Sequence, residues 1–389
     1  VAISMLQRKP DSGLGNIRSS PGDPSRNIDW ILLVVQMLLT IAGCFVVFSA
    51  TRTEPNIDPY TYVTRQVIFA IAAVVLMFIV MSIDYEWLKE RSRLLFTLTV
   101  GALLALLVLA QAGVGGGVIT DIAFSVGPIN LQPAEFAKFA VLLVLAGYIA
   151  DEGLSEISYP RFVGALMIVG IPAVLVIAQP DLGTASVIIS SVMGVLLVAG
   201  AKLRYILIVS ALSLFTLLTA LASGLVNSYQ LLRFRVLFDQ DNPELGDAAL
   251  QVRNAIRAVG TGGVFGKGWL QGDLTNGGDI PVAWADFPFA AVGEQFGLIG
   301  CGVLLFMFAV ALFRVWRIAH LSRDLLGTYI CAGVFTMMLW QLFQNVGMTL
   351  GILPVTGLPM PFISYGGSGL FTYFAMMGLV QSVHMRRMR

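Results

Sequence analysis

Residues 162–200 read FVGALMIVGIPAVLVIAQPDLGTASVIISSVMGVLLVAG, two long apolar runs separated by the short turn Gln179-Pro180-Asp181-Leu182-Gly183-Thr184. A helix needs about 20 predominantly apolar residues to cross the hydrocarbon core of a bilayer. Both runs approach that length, so the chain is expected to enter a membrane and turn back. Further runs lie outward from this pair, at 29–49, 64–83, 94–113, 133–150, 205–225, 288–313, 327–348 and 369–385, which brings the count to ten. The expected fold is an all-α polytopic membrane protein of about ten transmembrane helices, with a long loop, 226–287, between the seventh and eighth. Composition agrees, since 57% of the residues are hydrophobic and only 12% are charged, far from a soluble domain. A net charge of +1 without a basic run argues against a nucleic-acid partner.

Lys and Arg accumulate in short cytoplasmic loops. With the N-terminus inside, the inner segments hold Lys89, Arg91 and Arg93, then Arg161, Lys202 and Arg204, then Arg314, Arg317 and Arg323, and finally Arg386, Arg387 and Arg389. The short outer segments hold only Arg52. Both termini are therefore expected in the cytoplasm, with 1–28 a disordered tail, 29–385 the membrane domain and 386–389 a cytoplasmic end. The outer segments 114–132, 179–182, 226–287 and 351–368 are dense in Gly, Pro and aromatics, so the unusual chemistry is expected to face outward. Cys44, Cys301 and Cys331 sit inside apolar runs without metal-ligand spacing and read as small hydrophobes.

Individual polar residues stand out against this background. Glu135 and Lys138, in Gln132-Pro133-Ala134-Glu135-Phe136-Ala137-Lys138, lie three apart on one helix face, as a structural ion pair or as the wall of a polar cavity in which Lys138 meets an anionic headgroup. Asp181 either caps the sixth span or lines the same cavity, and Arg65 and Gln66 are either interface anchors or cavity residues. The glycines around Lys267, in Gly260-Thr261-Gly262-Gly263-Val264-Phe265-Gly266-Lys267-Gly268, lack the spacing of a nucleotide-binding loop and let backbone approach backbone or a sugar pyrophosphate. Asp286, in Ala283-Trp284-Ala285-Asp286-Phe287-Pro288-Phe289, is a carboxylate among aromatics, where partial desolvation suits a general base. Glu294 follows as a second wall residue or a structural partner. The run from Pro354 to Ser368, including Ser364, Tyr365 and Gly366, carries too many prolines and glycines for a helix and is expected to form a cavity.

Taken together and in this order, these motifs resemble the shape, elongation, division and sporulation (SEDS) family from about residue 29 to 385, and Gln344-Asn345-Val346-Gly347-Met348 resembles its elongation branch, RodA, more than its division branch, FtsW. The resemblance implies a peptidoglycan glycosyltransferase in the bacterial cytoplasmic membrane. Such an enzyme polymerises lipid II at the outer face and releases undecaprenyl pyrophosphate beside a class B penicillin-binding protein, within membrane lipids. It implies Asp286 as the catalytic base, with Lys138, Glu135, Arg65, Gln66, Asp181, Lys267, Ser364, Tyr365 and Gly366 about the substrate. No tightly bound cofactor and no protein metal site is implied, a divalent cation (Mg or Mn) being the candidate helper. A lipid II flippase and a non-catalytic scaffold are the rival functions. Two departures are specific to this chain: Pro281-Val282-Ala283-Trp284-Ala285 replaces a Pro-Glu-x-His-Thr pattern before Asp286, and Gly115-Gly116-Gly117-Val118-Ile119-Thr120-Asp121 replaces a basic run.

Overall fold

The computed structural model describes residues 27–53, 58–112, 122–126, 129–153, 157–222, 228–240 and 245–388. The elements run α1 (Trp30–Thr51), α2 (Thr61–Ser82), α3 (Tyr85–Gln111), β1 (Phe124–Val126), β2 (Ile129–Leu131), α4 (Pro133–Ala150), α5 (Tyr159–Ala178), α6 (Leu182–Val198), α7 (Leu203–Ala222), α8 (Ser228–Phe238), α9 (Gly246–Thr261), α10 (Asp273–Asn276), α11 (Pro288–His320), α12 (Leu325–Thr349) and α13 (Gly367–Met385). The chain is an all-α polytopic membrane protein: among the described residues seven helices are long and apolar enough to cross a membrane, and α6 and Leu203–Thr216 of α7 are shorter apolar helices. With α13, every one of the ten apolar runs is helical. The tail residues 1–26 and the run Gly115–Asp121 lie outside the described residues.

Three features differ from the sequence-based expectation. A two-stranded antiparallel hairpin, β1 with β2, leads into α4, pairing Phe124 with Leu131. The span expected from residue 94 begins at Tyr85, because Asp84 caps it by accepting from the Glu86 N–H. The expected loop 226–287 contains α8, α9 and α10, and Ala249, Val252, Ala255 and Ala258 of α9 are buried. Their spacing of three is a helix face, too short and too polar in its surroundings to read as a span.

At the end holding Arg314 and Arg386, side chains lock helix termini together. Asp29 caps α1 through the Leu32 N–H at 3.0 Å and accepts from Arg314 of α11 at 2.5 and 2.9 Å. Gln381 of α13 bonds both backbone groups of Asp29. Arg323 reaches Glu86 and the Tyr85 hydroxyl, and Arg386 pairs with Asp84 at 3.2 Å.

At the opposite end, α11 is broken. Gly297 has φ 64° and ψ −159°, a conformation in the left-handed half of the map that a side chain would strain. The freed backbone is taken up by the glycine-rich run, as Leu298 and Ile299 N–H groups donate to Gly263 and Val264 carbonyls at 2.9 and 3.1 Å. Lys267 and Gly268 N–H groups return bonds to the Glu294 and Gln295 carbonyls. The glycines thus serve backbone-to-backbone approach, one of the two roles expected of them.

Candidate active site

The segment from Leu350 to Gly366 is non-helical yet mostly buried or half-buried, so its polar backbone must find partners. α12 supplies them. Gln341 and Asn345, four residues apart on one face, donate to the carbonyls of Pro359 (2.5 Å) and Leu358 (2.8 Å). Gln66 of α2 donates to Ser364 at 3.1 Å and accepts from the Gly366 N–H at 3.3 Å, and the Ser364 hydroxyl accepts from the Met360 N–H at 2.7 Å. Gln66 and Ser364 therefore shape the segment from within. This scaffolded loop closes a cavity of about 480 Å³ whose walls include Glu135, Asp286, Gln341, Tyr365, Gly366 and Tyr373.

Asp286 enters the cavity from the turn before α11. Its backbone carbonyl accepts from Asn345 at 2.9 Å, through the same amide that holds Leu358. One buried side chain thus ties the aspartate's turn to the segment opposite. Burial pushes the Asp286 carboxyl above the usual aspartate range; Arg233 of α8 opposes that shift, and the charge of Asp181 adds to it. Arg233 donates to the Val355 carbonyl at 3.3 Å. A β-carbon on Gly357 would lie 3.6 Å from the Arg233 Nη1 and 3.8 Å from an Asp286 carboxylate oxygen. Gly357, at φ 69°, turns the backbone tightly between these two charged groups.

Glu135 of the cavity wall is paired with Lys138. Nζ lies 2.7 and 2.8 Å from the two Glu135 oxygens, with Lys138 fully buried. Gln341 Oε1 receives Lys138 at 3.3 Å and the Tyr373 hydroxyl at 2.5 Å. Lys138 is committed to these partners, whereas Glu135 also faces the cavity. To one side, Asp181 caps α6 through the Thr184 N–H (2.9 Å) and accepts from Gln132 of the cavity wall (2.8 Å). Of its two expected roles the cap is present, whereas Asp181 does not itself line the cavity and meets it through Gln132; burial raises its carboxyl as well. The Arg65 guanidinium opposes the upward pull of burial on the Tyr365 hydroxyl.

Lys267 is elsewhere. It pairs with Glu294 at 2.8 Å and Asp273 at 3.1 Å, and Glu294, fully buried, also accepts from the Leu274 and Thr275 N–H groups and the Thr275 hydroxyl. These two residues pin the glycine-rich run to α11 and do not line the Asp286 cavity. Conversely, Arg233, Gln341 and Asn345 were missed from sequence. The only signal was two amides four apart in an apolar span, beside a proline-rich segment that needed donors.

Asn345→Leu is expected to leave the Asp286 and Leu358 carbonyls without that donor, at a cost of about 1–3 kcal/mol for a buried unsatisfied group. A lowered midpoint in thermal unfolding in detergent checks this, and an unchanged midpoint would show the bond to be dispensable.

Residues 29–389 match the family model FtsW/RodA/SpoVE, described as cell cycle protein. Stage V sporulation protein E of Bacillus subtilis (strain 168) is 32% identical over 361 residues, covering 91% of this chain and 96% of that protein. Peptidoglycan glycosyltransferase RodA of Treponema pallidum (strain Nichols) is 29% identical over 438 residues, covering 93% and 98%. A solved structure described as the structural coordination of polymerization and crosslinking by a peptidoglycan synthase complex superposes with a TM-score of 0.74 at 27% identity, covering 93% of this chain and 99% of that one.

Proposed function

The chain belongs to the FtsW/RodA/SpoVE family of cell cycle proteins, and from that premise we propose that it is a peptidoglycan glycosyltransferase polymerising lipid II into β-1,4-linked strands. The observation that carries the proposal is Asp286, a half-buried carboxylate on the wall of a cavity at the end of the bundle opposite the Arg314 and Arg386 clusters. Because Lys and Arg mark the cytoplasmic side, Asp286 then faces outward from a bacterial cytoplasmic membrane, with both termini inside.

In this reaction Asp286 takes the proton from the acceptor sugar 4-hydroxyl, whose oxygen attacks the anomeric carbon of the donor. The bond from that carbon to the pyrophosphate oxygen breaks as the new one forms, inverting the centre. The electron pair leaves with undecaprenyl pyrophosphate. Arg233, near Asp286, and Arg65, at Tyr365, are the cations placed to meet the charge developing on the leaving group. Lys138 contributes less, since Glu135 already neutralises it. No group of three His, Cys, Asp or Glu side chains among the described residues could hold a metal ion.

A class B penicillin-binding protein is the partner we propose, as the transpeptidase that crosslinks the product, in keeping with the synthase complex that the fold matches. The assignment to cell elongation and cell shape rests on Gln344-Asn345-Val346-Gly347-Met348. The test is to add labelled lipid II to the purified chain with its cognate partner in liposomes. Glycan ladders are expected; transfer of lipid II between leaflets without ladders would move the function to a flippase.

The pH profile gives a second check. A base acts only when deprotonated, so the rate rises with pH through the carboxyl's pKa, and that acid limb is expected above the ordinary aspartate range because burial raises Asp286. Arg233 lowers that pKa, so Arg233→Gln should move the limb to still higher pH. A limb that stays in place after the substitution would exclude Asp286 as the titrating base.

A further inference from the structure

The turn before Asp286 carries Trp284 where the family pattern has polar residues, and the structure shows what that ring joins. Phe69, two turns into α2, lines the cavity and lies 6.4 Å from the Tyr365 ring. Tyr365 stands edge-on to Tyr62 at 5.2 Å, and Tyr62 meets Trp284 at 5.4 Å. Since Tyr62 is in the first turn of α2, this strip climbs from the cavity wall toward the end of the bundle. Tyr62, Trp284 and Tyr365 are all partly exposed. The Tyr365 N–H donates to the Trp284 carbonyl at 3.0 Å, fixing the two loops that carry the outer rings. Among the described residues, neither the Trp284 indole N–H nor the Tyr62 hydroxyl has a hydrogen-bond partner.

We propose that Trp284, with Tyr62 and Tyr365, forms a stacking platform for the pyranose rings of the acceptor glycan, a subsite that rests on the polymerase assignment. The hydroxyl activated by Asp286 belongs to the terminal acceptor sugar, so a ring two residues from Asp286 is placed to meet that sugar or the one behind it. Pyranose rings present an apolar C–H face to aromatic surfaces and hydroxyls at their edges. The strip offers both a π surface and two polar groups that have no partner among the described residues. Interfacial anchoring accounts for a Trp and a Tyr at the membrane surface, but not for a chain of ring contacts that ends on the cavity wall beside Asp286.

The test uses the full chain in detergent and a fluorescently labelled β-1,4 tetrasaccharide of alternating N-acetylglucosamine and N-acetylmuramic acid, with binding read by anisotropy. Trp284→Ala is expected to weaken binding about two- to tenfold, the worth of one aromatic contact, and Trp284→Phe to retain most of it. In polymerisation, Trp284→Ala should raise KM and shorten the strands while kcat holds. Trp284 also packs on a buried cluster, so Tyr62→Leu, with the same expected weakening, stands in should Trp284→Ala fail to fold. Wild-type binding by the folded variants, equal losses in Trp284→Phe and Trp284→Ala, or no binding by the wild type at millimolar saccharide would overturn the platform. Ladders from the wild type alongside any of those results leave the polymerase intact without the platform. Binding in the expected order without ladders leaves the platform and removes the polymerase.

Discussion

Asp286→Asn is expected to abolish glycan ladders from labelled lipid II while the protein folds as well as the wild type. Asparagine matches the aspartate in size and keeps the backbone bonds from Asn345 and to Val282, but it cannot take a proton. A positioned base typically contributes about 10²–10⁴ in rate, and a loss of that size erases the ladder in a timed assay. Stability is expected to move the other way, if at all. Burial holds the Asp286 carboxyl above its ordinary pKa, so the fold disfavours the charged form, and a neutral side chain relieves that penalty. The pair of measurements is ladder yield and thermal midpoint on the same preparation. An active variant, within about tenfold of wild type, would remove Asp286 from the chemistry. An inactive variant with a much lower midpoint would signal misfolding instead.

The ten apolar runs were legible because span length and apolar composition are local properties, and each run is a helix. The non-helical character of Pro354–Ser368 was legible for the same reason: prolines and glycines forbid a regular helix whatever surrounds them. Glu135 and Lys138 could be paired from their spacing alone. What could not be read was partner choice at long range. Lys267 pairs with Glu294, 27 residues on, where three other donors, the Leu274 and Thr275 N–H groups and the Thr275 hydroxyl, gather at the same buried carboxylate. Arg233 reaches the neighbourhood of Asp286 only because α8 folds back within a segment that reads as a loop. Asn345 finds Asp286 across 59 residues of chain. Periodicity fixes which face a residue occupies, but the identity of the opposite face is decided by packing.

Breaking the buried Glu135–Lys138 pair should be the most destabilising single change. Lys138→Met leaves Glu135 buried at 2% exposure without the one cation that pairs with it among the described residues, and stranding one member of a buried pair typically costs about 3–5 kcal/mol. The Lys138 contacts to Gln341 and over the Tyr373 ring are lost with it, which loosens the amide that also holds the Pro359 carbonyl. Combining Lys138→Met with Glu135→Gln removes both charges at similar volume, and most of the loss should return, because replacing a whole buried pair is often close to neutral. Thermal unfolding of the two single variants and the double variant measures the coupling directly. Losses that simply add would mean that the two charges are not stabilising one another. Glycan synthesis by the folded double variant then separates the two roles that Glu135 and Lys138 had from sequence. Ladders would mark the pair as structural, whereas a folded, silent protein would assign the Glu135 carboxylate on the cavity wall to holding substrate.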